Sequence, residues 1–427
     1  MGQKIIIYFF SMLTIIACSE TETPLLMDPP KEVKVVETKA LPPIQKMKTK
    51  VDIIFMLDNS NSMKNEIEKI KENAHKFTDN LKKFPQVDPH IGVIYTFDSS
   101  RYTNDPNNSR SVLKFHPLNG RLQFFDKGEL VFLNQNKSKR FLTKKDLNIL
   151  PEYFNIEVPF IAVKNDKKQE FPIGPEIEEM FSPLVAATQN NTENNGFFRE
   201  DALLVIVFVT DAETGDIPLN KQKSQPDLIN TVENISPMDL YNQLFTFKSG
   251  KAANLLAYGV LCNIGDSECQ NKGIEHDAEK IRSFINIVHD KRRASLQARV
   301  KDATQADKML ESLRILNLHS DDWGEKLASI GEAISKETIM RPIYLNFIPE
   351  TKEVTDKDSN KYIFVPQIKV KLGEQILEYG KDWYYDAAEN SVTLLPPVLE
   401  IKNKNNLDFS VTGIAVETGP NTKAIKL

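Results

Sequence analysis

Two short stretches carry oxygen donors at a spacing that chemistry can use. Asp58-Asn59-Ser60-Asn61-Ser62 gives D-x-S-x-S directly after the apolar run at residues 51–57 (VDIIFML). Thr210-Asp211-Ala212-Glu213 ends a second apolar run at residues 202–210 (ALLVIVFVT). Hydroxyls and carboxylates are hard donors, suited to Mg²⁺ or Mn²⁺ rather than to zinc. Helix capping is the plain alternative, since Asp and Ser favour N-caps. One cap accounts for one of these residues, not for three at alternate positions and a second acidic strand end. A live cation site and an empty remnant of one both remain open. No G-x-x-x-x-G-K-[ST], H-E-x-x-H or G-x-S-x-G occurs, and His75, His90, His116, His276, His289 and His319 are scattered. Nothing legible is an acid–base pair, so the expectation is a binding protein and not an enzyme.

For the two loops to meet, their strands must lie side by side. Both runs are almost continuously apolar, as strands buried on both faces are. The helix after the first loop has apolar residues Ile67, Ile70, Ala74, Phe77, Leu81 and Phe84 at helical spacing. Further strands are expected at residues 90–97, 254–261 and about 313–318, and a closing helix at about 322–337 carries Trp323, Leu327, Ile330 and Ile334 on one face. Apolar strands alternating with helices predict an α/β fold with a doubly wound, mostly parallel sheet. Ligands in such sheets bind at the carboxyl ends of the strands. After Arg341-Pro342 the period changes to two, which predicts a small β-sandwich over residues 341–427. The cluster Trp383-Tyr384-Tyr385 there is a core anchor or a binding patch.

VDIIFMLDNSNSM followed by a helix, then HIGVIYTFD, then ALLVIVFVTDAET resembles a von Willebrand factor A-type domain over about residues 49–340. Asp58, Ser60, Ser62 and Asp211 fall on that family's metal-ion-dependent adhesion site. The resemblance implies serine hydroxyls bound directly to Mg²⁺ or Mn²⁺ and aspartates acting largely through bound water. One coordination position would stay open to an acidic group of a protein or cell-surface partner. The family's threonine is missing from the loop Lys168-Gln169-Glu170-Phe171-Pro172-Ile173-Gly174-Pro175, before an expected helix at about 176–188. Gly174 and Glu176 fit a G-x-E pattern of some bacterial exported members. The fifth ligand is then Glu176, a backbone or water oxygen, or absent. Residues 99–170 are expected to form a long insertion bordering the metal face.

The amino terminus reads as an address. Lys4 and the apolar residues 5–16 have the build of a secretory signal. Ile15-Ile16-Ala17-Cys18 resembles the bacterial lipobox, which implies a signal peptide at 1–17 and a lipidated Cys18; an ordinary signal peptide is the alternative. Residues 18–48, with Pro24, Pro29-Pro30 and Pro42-Pro43, read as a lipidated cysteine and proline-rich tether. Ser19 is consistent with outer-membrane delivery, on the periplasmic or the outer surface. In an oxidising compartment Cys262 and Cys269 (CNIGDSEC) are expected to form a local disulfide; a zinc pair would need two more ligands.

Of 427 residues 41% are hydrophobic, enough for packed cores. Lys+Arg number 54 against 59 Asp+Glu, a net charge of -5, which argues against a nucleic-acid partner. Together these features predict an anchored, metal-dependent adhesion lipoprotein. The competing expectation is a structural envelope lipoprotein that binds partners without metal.

Overall fold

The computed structural model describes residues 45–46, 49–84, 87–97, 128, 130, 140–154, 178–189, 194–215, 235–264, 278–299, 314–320, 322–355, 362–373, 375–395 and 409–413. The expected signal, Cys18, Glu176, Cys269 and most of the 99–170 insertion lie outside the described residues. By contacts the chain divides into Met1–Leu41 and Pro42–Leu427, and all described residues fall in the second unit.

A six-stranded sheet forms its centre. In chain order its strands are β2 (Thr49–Leu57), β3 (Val87–Tyr95), β4 (Leu142–Thr143), β5 (Leu203–Thr210), β6 (Leu255–Leu261) and β7 (Ile315–Asn317), arranged β4-β3-β2-β5-β6-β7. β2 pairs parallel with β3 and β5, and β6 with β5 and β7; β4 alone is antiparallel, pairing with β3 at His90 and Ile91. The chain first steps from β2 to β3 on one side, then returns to β5 on the other. That reversal opens a crevice between the carboxyl ends of β2 and β5.

Alternate residues of β2 feed two cores, as the strand's period of two requires. Val51, Ile53, Phe55 and Leu57 pack with Ile70, Phe77 and Leu81 of α1 (Lys64–Lys82). Ile54 and Met56 face α2 (Phe181–Thr188), α3 (Pro237–Phe247) and α4 (Glu279–Arg299), through Phe181, Leu184, Leu240, Leu244 and Phe284. Leu327, Ile330 and Ile334 of α5 (Trp323–Ile339) join the first core. α5 lies close on α1: a Cβ at Gly331 would meet the Phe77 carbonyl oxygen at 2.7 Å. Only a glycine permits that approach.

One expectation needs correction. The helix expected at 176–188 begins at Phe181. Pro183 is tolerated only in a helix's first turn, and Glu179 instead exchanges backbone hydrogen bonds with Phe97 at 2.8 and 3.0 Å. Within the expected insertion β4 lies on the sheet edge against the middle of β3, while most of the segment expected to border the metal face lies outside the described residues.

The carboxy-terminal strands form three small antiparallel sheets. β9 (Thr351–Thr355) pairs with β10 (Tyr362–Pro366). β13 (Trp383–Asp386), β14 (Ser391–Leu394) and β8 (Ile343–Tyr344) make the second, and the third runs β1 (Gln45–Lys46), β15 (Phe409–Gly413), β11 (Ile368–Leu372), β12 (Gln375–Ile376). β1 comes from the end of the expected tether. Val370, Trp383, Val392 and Val411 belong to the same buried cluster as Phe55 and Phe77. Trp383 is buried and its Nε1 donates to the Leu377 carbonyl at 3.1 Å, so this residue anchors a core.

Candidate metal centre

β2 and β5 pair from Val51↔Leu203 to Leu57↔Val209. The ladder runs one step further, the Asp58 amide donating to the Val209 carbonyl at 3.0 Å. Asp58 and Asp211 therefore begin neighbouring loops at the crevice. The Asp58 carboxylate organises its own loop: Oδ1 accepts the Ser60 amide at 2.8 Å, an Asx-type turn. Oδ2 accepts the Thr210 hydroxyl at 2.7 Å. The Ser60 and Ser62 hydroxyls stand 2.8 Å apart, and Ser62 Oγ donates to Asp211 Oδ1 at 3.1 Å. The four residues Asp58, Ser60, Ser62 and Asp211 are thus brought into one hydrogen-bonded chain. Asp58, Ser60 and Asp211 are buried and Ser62 is exposed, so the centre meets solvent at Ser62.

The electrostatics of Asp58 are unusual. Burial pushes its carboxyl above the ordinary carboxylate range, and only hydrogen bonds from Ser60 and Thr210 pull it back. Among the described residues no cationic side chain accompanies it. The donor set of two carboxylates and two hydroxyls fits a hard divalent cation such as Mg²⁺ or Mn²⁺. Three or more His, Cys, Asp or Glu do not converge on one point among the described residues, so hydroxyls would carry as much of such a site as carboxylates.

Several supporting residues escaped the sequence reading. Thr210 holds Asp58 and also accepts the Ala212 amide at 2.9 Å; its position immediately before Asp211 was the available signal. Asn59 is fixed by the Thr96 hydroxyl at 2.8 Å, which ties the first loop to the end of β3. Thr214, almost fully buried, accepts the Met180 amide at 3.1 Å, and the Gly215 amide donates to the Glu178 carbonyl at 2.8 Å. The segment before α2 is thereby stitched to the loop after β5. Glu213 has a structural role: its two oxygens accept the amides of Thr214 at 2.8 Å and Lys280 at 3.0 Å. A carboxylate at the start of α4 suits the helix dipole.

Two other strand ends carry polar groups. His319, after β7, places Nε2 3.6 Å from Glu66 Oε1 on α1, with both side chains buried. Cys262, directly after β6, is buried with its Sγ 3.8 Å from the Asp211 carbonyl oxygen.

No protein-family model matches the chain, and no curated protein matches it. Among solved structures, proximal thread matrix protein 1 from the mussel byssus is 9% identical with a TM-score of 0.26, covering 59% of this chain and 49% of that one. The pilus adhesin SpaC from Lactobacillus rhamnosus GG, in an open conformation, is 10% identical with a TM-score of 0.31, covering 86% of this chain and 39% of that one. The chain therefore spans about half the length of the first and two fifths of the second. Likenesses at this level carry no argument about function.

Proposed function

We propose that this chain is a lipid-anchored binding protein of the bacterial envelope whose von Willebrand A-type body holds a divalent cation. Asp58, Ser60, Ser62 and Asp211 would hold Mg²⁺ or Mn²⁺, with Glu176 as a candidate further ligand. The ion would supply an open coordination position for an Asp or Glu of a protein or cell-surface partner. The chain's own residues do the preparatory work. Thr210 and the Ser60 amide orient Asp58, Ser62 links the two loops, and the Thr96–Asn59 bond braces the first loop against β3. The observation that carries this reading is Asp58: a fully buried carboxylate, without a cationic side chain among the described residues, joined through two serines to a second buried carboxylate. Such a group costs stability unless something positive completes it.

The anchor at Cys18, outer-membrane placement and the Cys262–Cys269 disulfide belong to the same proposal. They rest on the sequence. No helix among the described residues is long and apolar enough to cross a membrane. Nucleic-acid binding and catalysis form no part of the proposal.

One observation favours the competing reading, a structural envelope lipoprotein that binds partners without metal. The hydroxyls of Ser60 and Ser62 and the Asp211 carboxylate bond one another, so the loops close without an ion. Thermal unfolding of the full chain in EDTA, Mg²⁺, Mn²⁺ and Ca²⁺ separates the two. A midpoint raised by Mg²⁺ or Mn²⁺ in the parent, and unmoved in a Ser60→Ala, Ser62→Ala double variant, is the expected result. Identical midpoints in all four conditions would remove the metal from the proposal.

A further inference from the structure

At the amino ends of the central parallel strands, opposite the candidate metal centre, lies a cleft of about 520 Å³. Its walls come from the start of β2 (Lys50), the residues before β5 (Glu200, Asp201), the turn before β6 (Lys251), and the passage into β8 (Arg341, Tyr344). That volume is within the range of small-molecule sites.

The charges of this cleft are unequally matched. Lys50 is taken by Asp201, at 2.8 and 3.0 Å. Arg341 is 8% exposed and donates only to neutral acceptors: the carbonyls of Lys50 at 3.3 Å and Asp201 at 3.0 Å, and Asn254 Oδ1 at 2.8 Å. Its Nε has no hydrogen-bond partner. Burial, then the neighbouring charge of Arg292, push the Arg341 guanidinium down to about 10, and the charges of Asp201 and Asp52, neither in an ion pair with it, offset this only in part. Among the described residues Lys251 Nζ has no carboxylate in ion-pair range, and it stands 4.5 Å from the centre of the Tyr344 ring. Behind them the buried Lys248 ammonium donates to the Arg199 carbonyl at 2.8 Å and forms no ion pair among the described residues. The fixed network of Arg199 with Asp52 and Asp88 leaves those carboxylates already committed.

We propose that this cleft binds a small molecule bearing one oxyanion group, carboxylate or phosphate, on an apolar body. Arg341 supplies the buried charge and Lys251 the exposed one, while Tyr344 and Ile343 wall the apolar part. Glu200, exposed on the rim, selects against extended polyanions. The site lies across the sheet from the candidate metal centre and does not depend on it.

The test is calorimetric titration of the full chain with benzoate and with phenyl phosphate, beside inorganic phosphate, in EDTA at constant ionic strength. Saturable binding of at least one aromatic probe, weakened tenfold or more in Lys251→Glu, is expected; the arm that binds identifies the oxyanion. Lys251 is exposed and, the Tyr344 ring apart, makes no side-chain contact of its own among the described residues, so its variant should unfold near the parent's midpoint, whereas Arg341→Gln can fail by unfolding. Binding unchanged in Lys251→Glu, no saturable binding of either probe, or inorganic phosphate binding as tightly as phenyl phosphate would each overturn the proposal.

Discussion

Asp58→Asn should have opposite effects with and without a divalent cation. In the parent the Asp58 carboxylate accepts the Ser60 amide at 2.8 Å and the Thr210 hydroxyl at 2.7 Å. The asparagine carbonyl keeps one of these bonds, and its amide must turn toward Thr210 Oγ. That hydroxyl already accepts the Ala212 amide, and its proton would then be left with the Ala212 carbonyl at 3.4 Å. Such a loss costs about 1–2 kcal/mol. Against it, the variant removes a buried charge with no cationic partner among the described residues, a relief of several kcal/mol. In EDTA at pH 7 the variant should therefore unfold at or above the parent's midpoint. The sign with pH follows. A carboxyl raised above its unfolded value of 3.8 loses its stabilising contribution as pH rises through the folded value, so the variant's advantage should fade as pH falls toward about 4. With Mg²⁺ at about 100 times its Kd the parent gains roughly 2.7 kcal/mol. At about 2 cal/mol/K per residue, that is a shift of about 3 °C for the full chain. The variant should gain nothing. Scanning calorimetry of both proteins, with and without Mg²⁺, reads all of this. An equal Mg²⁺ response in the variant, or a loss above about 2 kcal/mol in EDTA, would refute the reasoning.

Three further outcomes are expected. Arg199→Ala removes the partner of the fully buried Asp52, bonded at 2.8 Å by Nε, and should destabilise by about 3–5 kcal/mol in denaturant titration; a change below about 1 kcal/mol would mean that the Asp52 charge is already neutral. Lys248, pushed by burial from 10.5 down to about 8, lowers stability most below pH 8, and this cost fades between about 8 and 10.5. Lys248→Met should then be more stable than the parent at pH 7, by up to roughly 3 kcal/mol less about 1 for the lost bond to the Arg199 carbonyl, and the gap should close by about pH 10.5. Cys18→Ser should move the protein from the membrane fraction to the soluble fraction of a bacterial host, and unchanged partitioning would remove the lipid anchor.

The central strands were legible because a strand covered on both faces is written as an apolar run, and five of the six strands of this sheet are parallel. Where polar residues enter such a strand, its boundary was lost: β3 begins at Val87, hidden behind Asp88 and Pro89. The loops were legible in residue type, and Asp58, Ser60, Ser62 and Asp211 do meet. What holds them was not. Thr210, Thr96 and Thr214 act through contacts across strands, which no local spacing encodes. Asp52 is the sharpest case. Within VDIIFML it passes for an interruption in an apolar run, yet its partner Arg199 lies 147 positions away. Pairing of β1 with β15 is longer still in sequence, and a two-residue strand leaves no periodicity to read.

Buried charges in this molecule fall into two kinds, and the contrast bears on both proposed sites. Arg292 and Glu337 pair at 2.8 Å between α4 and α5, and Asp52 pairs with Arg199 beneath the sheet. Each of these charges is met by its opposite, as a purely structural role requires. Asp58 at the carboxyl ends of the strands and Arg341 at their amino ends form no ion pair among the described residues, though both are buried; Asp201 and Asp52 act on Arg341 only from beyond ion-pair distance. A charge held this way costs stability, although each side chain also makes hydrogen bonds, Asp58 with Ser60 and Thr210 and Arg341 with Lys50, Asp201 and Asn254. On the proposed readings each leaves a charge open to something outside the chain, a cation at the carboxyl ends of the strands and an oxyanion at the amino ends. If Asp58→Asn in EDTA folds as well as the parent, stability does not require that charge, as the proposed cation site expects. Should Asp58→Asn instead unfold the protein, its charge belongs with the structural pairs and the distinction drawn here fails at that site.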